Sequence, residues 1–153
     1  LVKELDYSRI ELHIYGAGAE QQLLENYIKE HPELPVFYHG ELPRHTLHKE
    51  LLSYDITIVP LLNRIYGSVP SKLFEYAKLG LPMLYFGGGE GETIMTKYQL
   101  GWVASAGNYQ DLNSVISSLK KPDLGTELRT RIKKTAETHF DFETQLNQFI
   151  QLL

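Results

Sequence analysis

Cysteine is absent from the 153 residues. Its absence excludes disulfides, thiolate zinc sites and cysteine nucleophiles, and it fits a chain kept in a reducing cytosol. Basic runs are absent too. With a net charge of −4 and no cluster of Lys or Arg, nucleic acid is not expected as a partner. No apolar run approaches the ~20 residues that a membrane-spanning helix needs. No signal peptide is visible, and no internal repeat or low-complexity linker breaks the chain. There is no Asp-x-Asp pair to hold a divalent cation on a phosphate, so no metal and no other cofactor is inferred. His45 and His48 fall on one helical face but lack a third ligand for zinc. The remaining histidines are scattered.

What is present is an ordinary globular composition of single-domain length, 42% hydrophobic and 22% charged, in which short apolar stretches alternate with helical patterns. Strands are expected at 10–15, 36–39, 56–60, 83–86 and 102–104, each closed by a glycine or proline signal or rich in β-branched residues. Helices are expected at 19–30, 47–52, 92–100, 111–119, 124–139 and 141–153. Asn108 is placed to cap the fourth of these. Trp102 is expected in the core. Strict β–α alternation predicts an α/β fold, a doubly wound parallel sheet of Rossmann type covered on both faces. Ligands of such sheets bind beyond the carboxyl ends of the strands, and each loop at that edge here carries a glycine.

One stretch organises the rest: Gly67-Ser-Val-Pro-Ser-Lys-Leu-Phe-Glu-Tyr-Ala-Lys-Leu-Gly-Leu-Pro-Met-Leu-Tyr-Phe-Gly-Gly-Gly89. It reads as loop, helix, turn, buried strand and glycine turn. Pro70 suits a first helical turn, Gly80 a helix end, and Pro82 cannot continue the helix. Lys72 and Glu75, three apart, share the face of the helix start, with Ser71 one turn before Glu75. On spacing alone the plain reading is a solvated ion pair, because such pairs are common on helices. The functional alternative is a nucleotide site. Backbone N–H groups of the helix tip and the Lys72 ammonium would hold a diphosphate, and the Glu75 carboxylate would accept from a vicinal diol.

Ser68-Val-Pro-Ser-Lys-Leu-Phe-Glu-Tyr-Ala-Lys-Leu-Gly-Leu-Pro82 resembles the P-S-K-[apolar]-x-E-Y-x-x-x-G-x-P signature of the C-terminal, donor-binding domain of GT-B glycosyltransferases, the GT4-like or group 1 glycosyl transferases. The resemblance implies that Lys72 contacts the donor diphosphate and Glu75 the ribose hydroxyls, with Ser68, Val69 and Ser71 lining the same helix tip. Many relatives carry a second glutamate eight positions before Glu75 that touches the donor sugar; here that position is Gly67. The loop Gly16-Ala-Gly18 after the first strand has Gln21 where a dinucleotide fingerprint needs its third glycine. It is similar instead to the G-x-G turn that lies near the nucleotide in GT-B domains. Tyr38-His-Gly-Glu-Leu42 resembles the F-x-G-x-[apolar] segment, which implies that the main chain of Glu41 and Leu42 pairs with the base; Tyr38 replaces the usual Phe. Tyr54-Asp-Ile-Thr-Ile-Val-Pro60 resembles the A-D-[apolar]-x-[apolar]-x-P strand, with Asp55 read as a local structural acceptor. Gly87 to Glu92 is either a flexible turn or a close backbone approach to the donor. His139-Phe-Asp-Phe-Glu143 resembles the F-[SD]-[WF]-E element before the family's terminal helix, and the stripe Phe142, Leu146, Phe149, Ile150 and Leu153 is expected to pack toward an N-terminal domain.

The resemblance further implies a donor-binding half lacking its first strand and the basic loop that follows it, with Leu1 to Leu5 starting inside a helix-like pattern. An N-terminal acceptor domain carrying the catalytic base is expected elsewhere in the full protein. The reaction implied is transfer of a sugar from a UDP- or GDP-linked donor to a glycan or lipid-linked acceptor, as in polysaccharide biosynthesis. The fragment alone is expected to be inactive. A cytoplasmic location is expected, and a lipid-linked acceptor leaves room for peripheral association of the full-length protein with the inner face of the membrane. A sugar-nucleotide epimerase of the same architecture and a non-catalytic nucleotide-binding module are the alternatives.

Overall fold

A computed structural model of the chain describes residues 1–61 and 67–141. Five strands and six helices alternate: β1 Leu12–Ile14, α1 Gln21–Glu30, β2 Val36–Tyr38, α2 Arg44–Leu51, β3 Thr57–Pro60, α3 Ser71–Lys78, β4 Met83–Phe86, α4 Glu90–Tyr98, β5 Gly101–Ala104, α5 Tyr109–Ser118 and α6 Thr126–His139. A single 3-10 turn, Lys121–Leu124, precedes α6. The expected parallel α/β, Rossmann-like architecture is what forms. Its strands are grouped as a pair, β1-β2, and a triplet, β3-β4-β5, rather than as one ladder. Residues divide into two compact units, Leu1–Glu50 and Leu51–Leu153. The expected terminal helix, with Phe142, Leu146, Phe149, Ile150 and Leu153, lies outside the described residues.

In the first unit β1 and β2 pair in parallel, Leu12 opposite Val36 and Ile14 opposite Tyr38. Alternation sends His13 and Phe37 to the other face, where Phe37, His13, His39 and Tyr15 stack ring on ring at 4.6–5.2 Å. His13 Nδ1 and His39 Nε2 are 2.9 Å apart. The core of this unit is thin. Leu5 and Val36 are buried, α1 buries no residue, and Leu23 on α1 is 63% exposed.

The second unit is built on β4. It pairs with β3 on one side and β5 on the other, and all four of its residues are buried. A central parallel strand with both faces covered reads as a continuous apolar run, as Met83-Leu-Tyr-Phe86 does. Met83 and Tyr85 pack in one cluster with Leu73 and Ala77 of α3, Met95 of α4 and Ile132 of α6. Trp102, opposite Leu84 on β5, is only partly buried, so the expectation of a core tryptophan is corrected. β5 is an edge strand among the described residues, and one side of it lacks a strand neighbour.

Two glycines fix the turns that frame β4. Gly80 has φ +70. Its N–H bonds the Ala77 carbonyl at 2.9 Å, and the next N–H, of Leu81, bonds Tyr76 at 3.0 Å. This is a Schellman end to α3, and a side chain at Gly80 would stand 2.8 Å from the Arg129 carbonyl of α6. At Gly101, φ +148, a Cβ would fall on the Met83 carbonyl oxygen across the β4–β5 pairing.

Helix starts differ from expectation where a cap outside the apolar pattern acts. α2 begins at Arg44 rather than Leu47, because the Pro43 carbonyl accepts from Thr46 and Leu47, both at 2.9 Å. α4 begins at Glu90 rather than Glu92, with Gly89 as its cap.

Candidate functional site

The tip of α3 is set by local chemistry. Pro70, with φ −58 and ψ 125, stands just before the first helical residue, Ser71, one place earlier than a residue of the first turn. Its carbonyl takes the Leu73 N–H at 3.1 Å. A proline offers no side-chain cap, so the N–H groups of Ser71 and Lys72, ahead of Leu73, have no intrahelical acceptor and lie at the positive end of the helix dipole. Leu73 and Ala77 are buried, and this anchoring leaves Lys72 and Glu75 on the outer side of the helix. Lys72 Nζ lies 3.7 Å from Glu75 Oε2, with side chains 51% and 16% exposed. The same ammonium lies 5.7 Å from the centre of the Tyr76 ring. Burial, and then the charge of Glu75, pushes the Tyr76 phenol up from its ordinary value. Ser68 and Ser71 are exposed and Val69 is partly buried. An i,i+3 pair this exposed stabilises the helix by no more than about 0.5 kcal/mol. A Lys/Glu pair at the helix mouth is therefore of small structural value.

A second carboxylate reaches the same lead-in loop. Glu90, the first residue of α4, accepts from the Gly67 N–H at 2.9 Å. The turn that carries Glu90 rests on Tyr85, whose hydroxyl donates to the Gly88 carbonyl at 3.1 Å. A side chain at Gly91 would strike that hydroxyl. Burial raises the Tyr85 phenol, and the charges of Glu92 and Glu90 add to it. Of the two readings of Gly87 to Glu92, the flexible turn is thus the weaker, because Tyr85 pins it. Sequence reasoning missed Glu90; the only signal was a glutamate directly after a glycine run.

In the first unit the two glycine loops meet. The Gly16 N–H bonds the Gly40 carbonyl at 2.7 Å, and the Tyr38 hydroxyl donates to the Gly16 carbonyl at 2.6 Å. The replacement of Phe by Tyr at 38 thus supplies a tie that Phe could not make. Gly18 and Glu41 are exposed and Leu42 is partly buried. Gly16 is tied to Gly40, which leads into Glu41 and Leu42, within this unit, whereas no backbone hydrogen bond joins Gly18 to that loop among the described residues. Ser68, Val69, Ser71, Lys72 and Glu75 lie along the α3 tip in the other.

Asp55, expected as a local structural acceptor, instead has its side chain beside a lysine far along the chain. Its carboxylate lies 3.8 Å from Lys121 Nζ, and its carbonyl, with those of Leu52 and Tyr54, accepts from the Arg129 guanidinium. His45 Nε2 is 3.2 Å from the Thr46 hydroxyl, and among the described residues no three His, Cys, Asp or Glu side chains cluster as metal ligands. Among them too, no helix is long and apolar enough to cross a membrane.

Residues 1–139 match the family described as Glycosyl transferases group 1. The chain belongs to that family. A search of curated proteins returns no match. Among solved structures, the apo form of a lipopolysaccharide outer core galactosyltransferase, WaaB, is similar in fold, with a TM-score of 0.65 at 19% identity over 94% of this chain. The chain spans 41% of that structure's length. In this group 1 glycosyl transferase chain, the matched residues include the whole of α3 and its tip.

Proposed function

We propose that this chain is the donor-binding half of a glycosyltransferase that moves a sugar from a UDP- or GDP-linked donor to a glycan or lipid-linked acceptor. The observation that carries the reading is the Lys72–Glu75 pair at the mouth of α3, in a family whose members transfer glycosyl groups. On this reading the α3 tip, with the backbone at Ser68 and Val69 and the Ser71 hydroxyl, holds the diphosphate. Lys72 adds a full charge and offsets the negative charge that builds as the diphosphate departs. Glu75, more buried than Lys72, accepts from the ribose diol. The loops of Gly16 and Gly18, and of Glu41 and Leu42, serve the base through the main chain.

On the same reading the complete enzyme supplies the first strand, the basic loop after it and an acceptor domain with the catalytic base.

The test is calorimetry on the complete protein with UDP and GDP. Each of Lys72→Ala and Glu75→Ala is expected to weaken binding about 10- to 100-fold, the loss of one charge-assisted hydrogen bond. Lys72→Ala should flatten the salt dependence, because it removes a charge pair. Glu75→Ala should erase the preference for the ribonucleotide over its 2′-deoxy analogue. Two variants that bind like wild type would return the pair to a solvated surface role. Conversion of the donor to an epimer without any acceptor would replace transfer with epimerisation.

A further inference from the structure

The turn after β1 is held by hydrogen bonds rather than by packing. Nothing lies within 4 Å of where a Cβ would stand at Gly16 or Gly18, and the helix that follows, α1, buries no residue. Instead, Gly16 is tied on both sides to β2 and its loop. Its N–H donates to the Gly40 carbonyl at 2.7 Å, and its carbonyl accepts from the Tyr38 hydroxyl at 2.6 Å. The Gly18 carbonyl accepts from the Gln21 N–H at 3.1 Å, where α1 begins. Gly16 and Gly40 have φ of +127 and +70, so both turns pass through backbone conformations that suit glycine. Of the two ties on Gly16, one is backbone to backbone, and the other depends on a side chain.

A main chain that reads a base is only as selective as it is fixed. A peptide plane free to turn can match the donors and acceptors of either uracil or guanine, and holding it in one orientation before the ligand arrives removes that freedom. The Tyr38 hydroxyl does this for the Gly16 carbonyl, and through Gly16 it joins the first turn to the Gly40 turn that leads into Glu41 and Leu42. We infer that Tyr38 is a positioning residue for base selection, its hydroxyl locking the two turns into one body that presents a single set of main-chain groups. In this role Tyr38 touches no ligand itself. The inference rests on the donor reading of these loops.

The experiment is calorimetry on the complete protein with UDP and GDP, as wild type, Tyr38→Phe and Lys72→Ala. Tyr38→Phe keeps the ring and removes the hydroxyl alone, so the variant is expected to fold. It should weaken the preferred diphosphate about 3- to 10-fold, the loss of one neutral hydrogen bond, and leave the other within about twofold. The ratio of the two affinities therefore narrows. A merely structural tyrosine would lower both affinities by one factor, or lower the melting temperature alone, and either result would overturn the inference. So would a wild type that binds UDP and GDP equally, since there would be no selection for Tyr38 to set. Lys72→Ala acts on the phosphates that both ligands share, so it should weaken both alike and keep the wild-type ratio. If it does so while Tyr38→Phe leaves the ratio unchanged, the donor reading stands and this inference alone falls. If wild type binds neither diphosphate, the donor reading fails, and this inference with it.

Discussion

Single residues set sharp limits on this chain. At Gly101 a methyl group has nowhere to go, because its place is taken by the Met83 carbonyl and φ is +148. Gly101→Ala is expected to cost at least about 3 kcal/mol, overpacking added to backbone strain, read as a lower urea midpoint. Gly18 is the opposite case, with nothing within 4 Å of where a Cβ would stand. Gly18→Ala should change stability by no more than about 0.5 kcal/mol. If its loop lies against the nucleotide, the same methyl weakens binding while the melt stays put; unchanged affinity would remove Gly18 from the site. The Lys72 and Glu75 positions could be read from spacing and family likeness, since both live in one helix and need only local order. Glu90 and the Tyr38 hydroxyl could not, because each acts on a partner more than 20 residues away in sequence, and nothing in a linear pattern announces which loop a side chain will reach.

At the scale of elements, the legible features were those with local causes. β4 announced itself as an apolar run and α3 by its Gly80-Leu-Pro82 stop. Asn108 was expected as a cap, and its side chain does accept the Asp111 N–H at 3.0 Å. Asp111 in turn accepts from the Ser105 N–H at 2.7 Å, so the two residues stitch the β5–α5 turn from both ends. Asn108→Ala should therefore lower stability by about 1 kcal/mol. The Ser105 N–H holds the Asp111 carboxyl below its ordinary value. A carboxyl lowered on folding contributes stability that is present above its unfolded value and is lost as pH falls through its folded one. A wild-type chain should thus lose stability on acidification below about pH 4, and Asp111→Asn should lose less over that window. Equal acid slopes for the two proteins would count against the turn as the cause. The starts of α2 and α4 were placed late, because capping by the Pro43 carbonyl and by Gly89 leaves no periodic trace. The 3-10 turn at Lys121–Leu124 falls at the gap between two expected helices and is too short to show a period.

Over the whole molecule, burial is uneven. The second unit holds a strand whose four residues are all buried, whereas the first has Leu5 and Val36 as its buried hydrophobics among the described residues. Backbone hydrogen bonds under a thin core open at low cost. Amide exchange should then be slowest in β4 and much faster in β1 and β2, measured residue by residue in the native state. Comparable protection in the two sheets would contradict the burial pattern. Parallel pairing and fold class were legible from alternation alone. The grouping into pair and triplet was not, since no residue within either group encodes which strand is its neighbour's neighbour.

The placement of Trp102 on β5 has an optical consequence. It is the chain's one indole, and it belongs to the better-packed unit. Emission excited at 295 nm therefore reports that unit alone, while ellipticity at 222 nm sums the helices of both. A melt followed by fluorescence would be blind to any earlier loss of β1, α1 and β2, and would overstate how cooperatively the chain unfolds. Two curves from the same sample, one by each signal, should separate, the circular dichroism falling first. Placing a second indole at Phe37, already 43% exposed beside the His13 ring, would give the silent half a signal of its own.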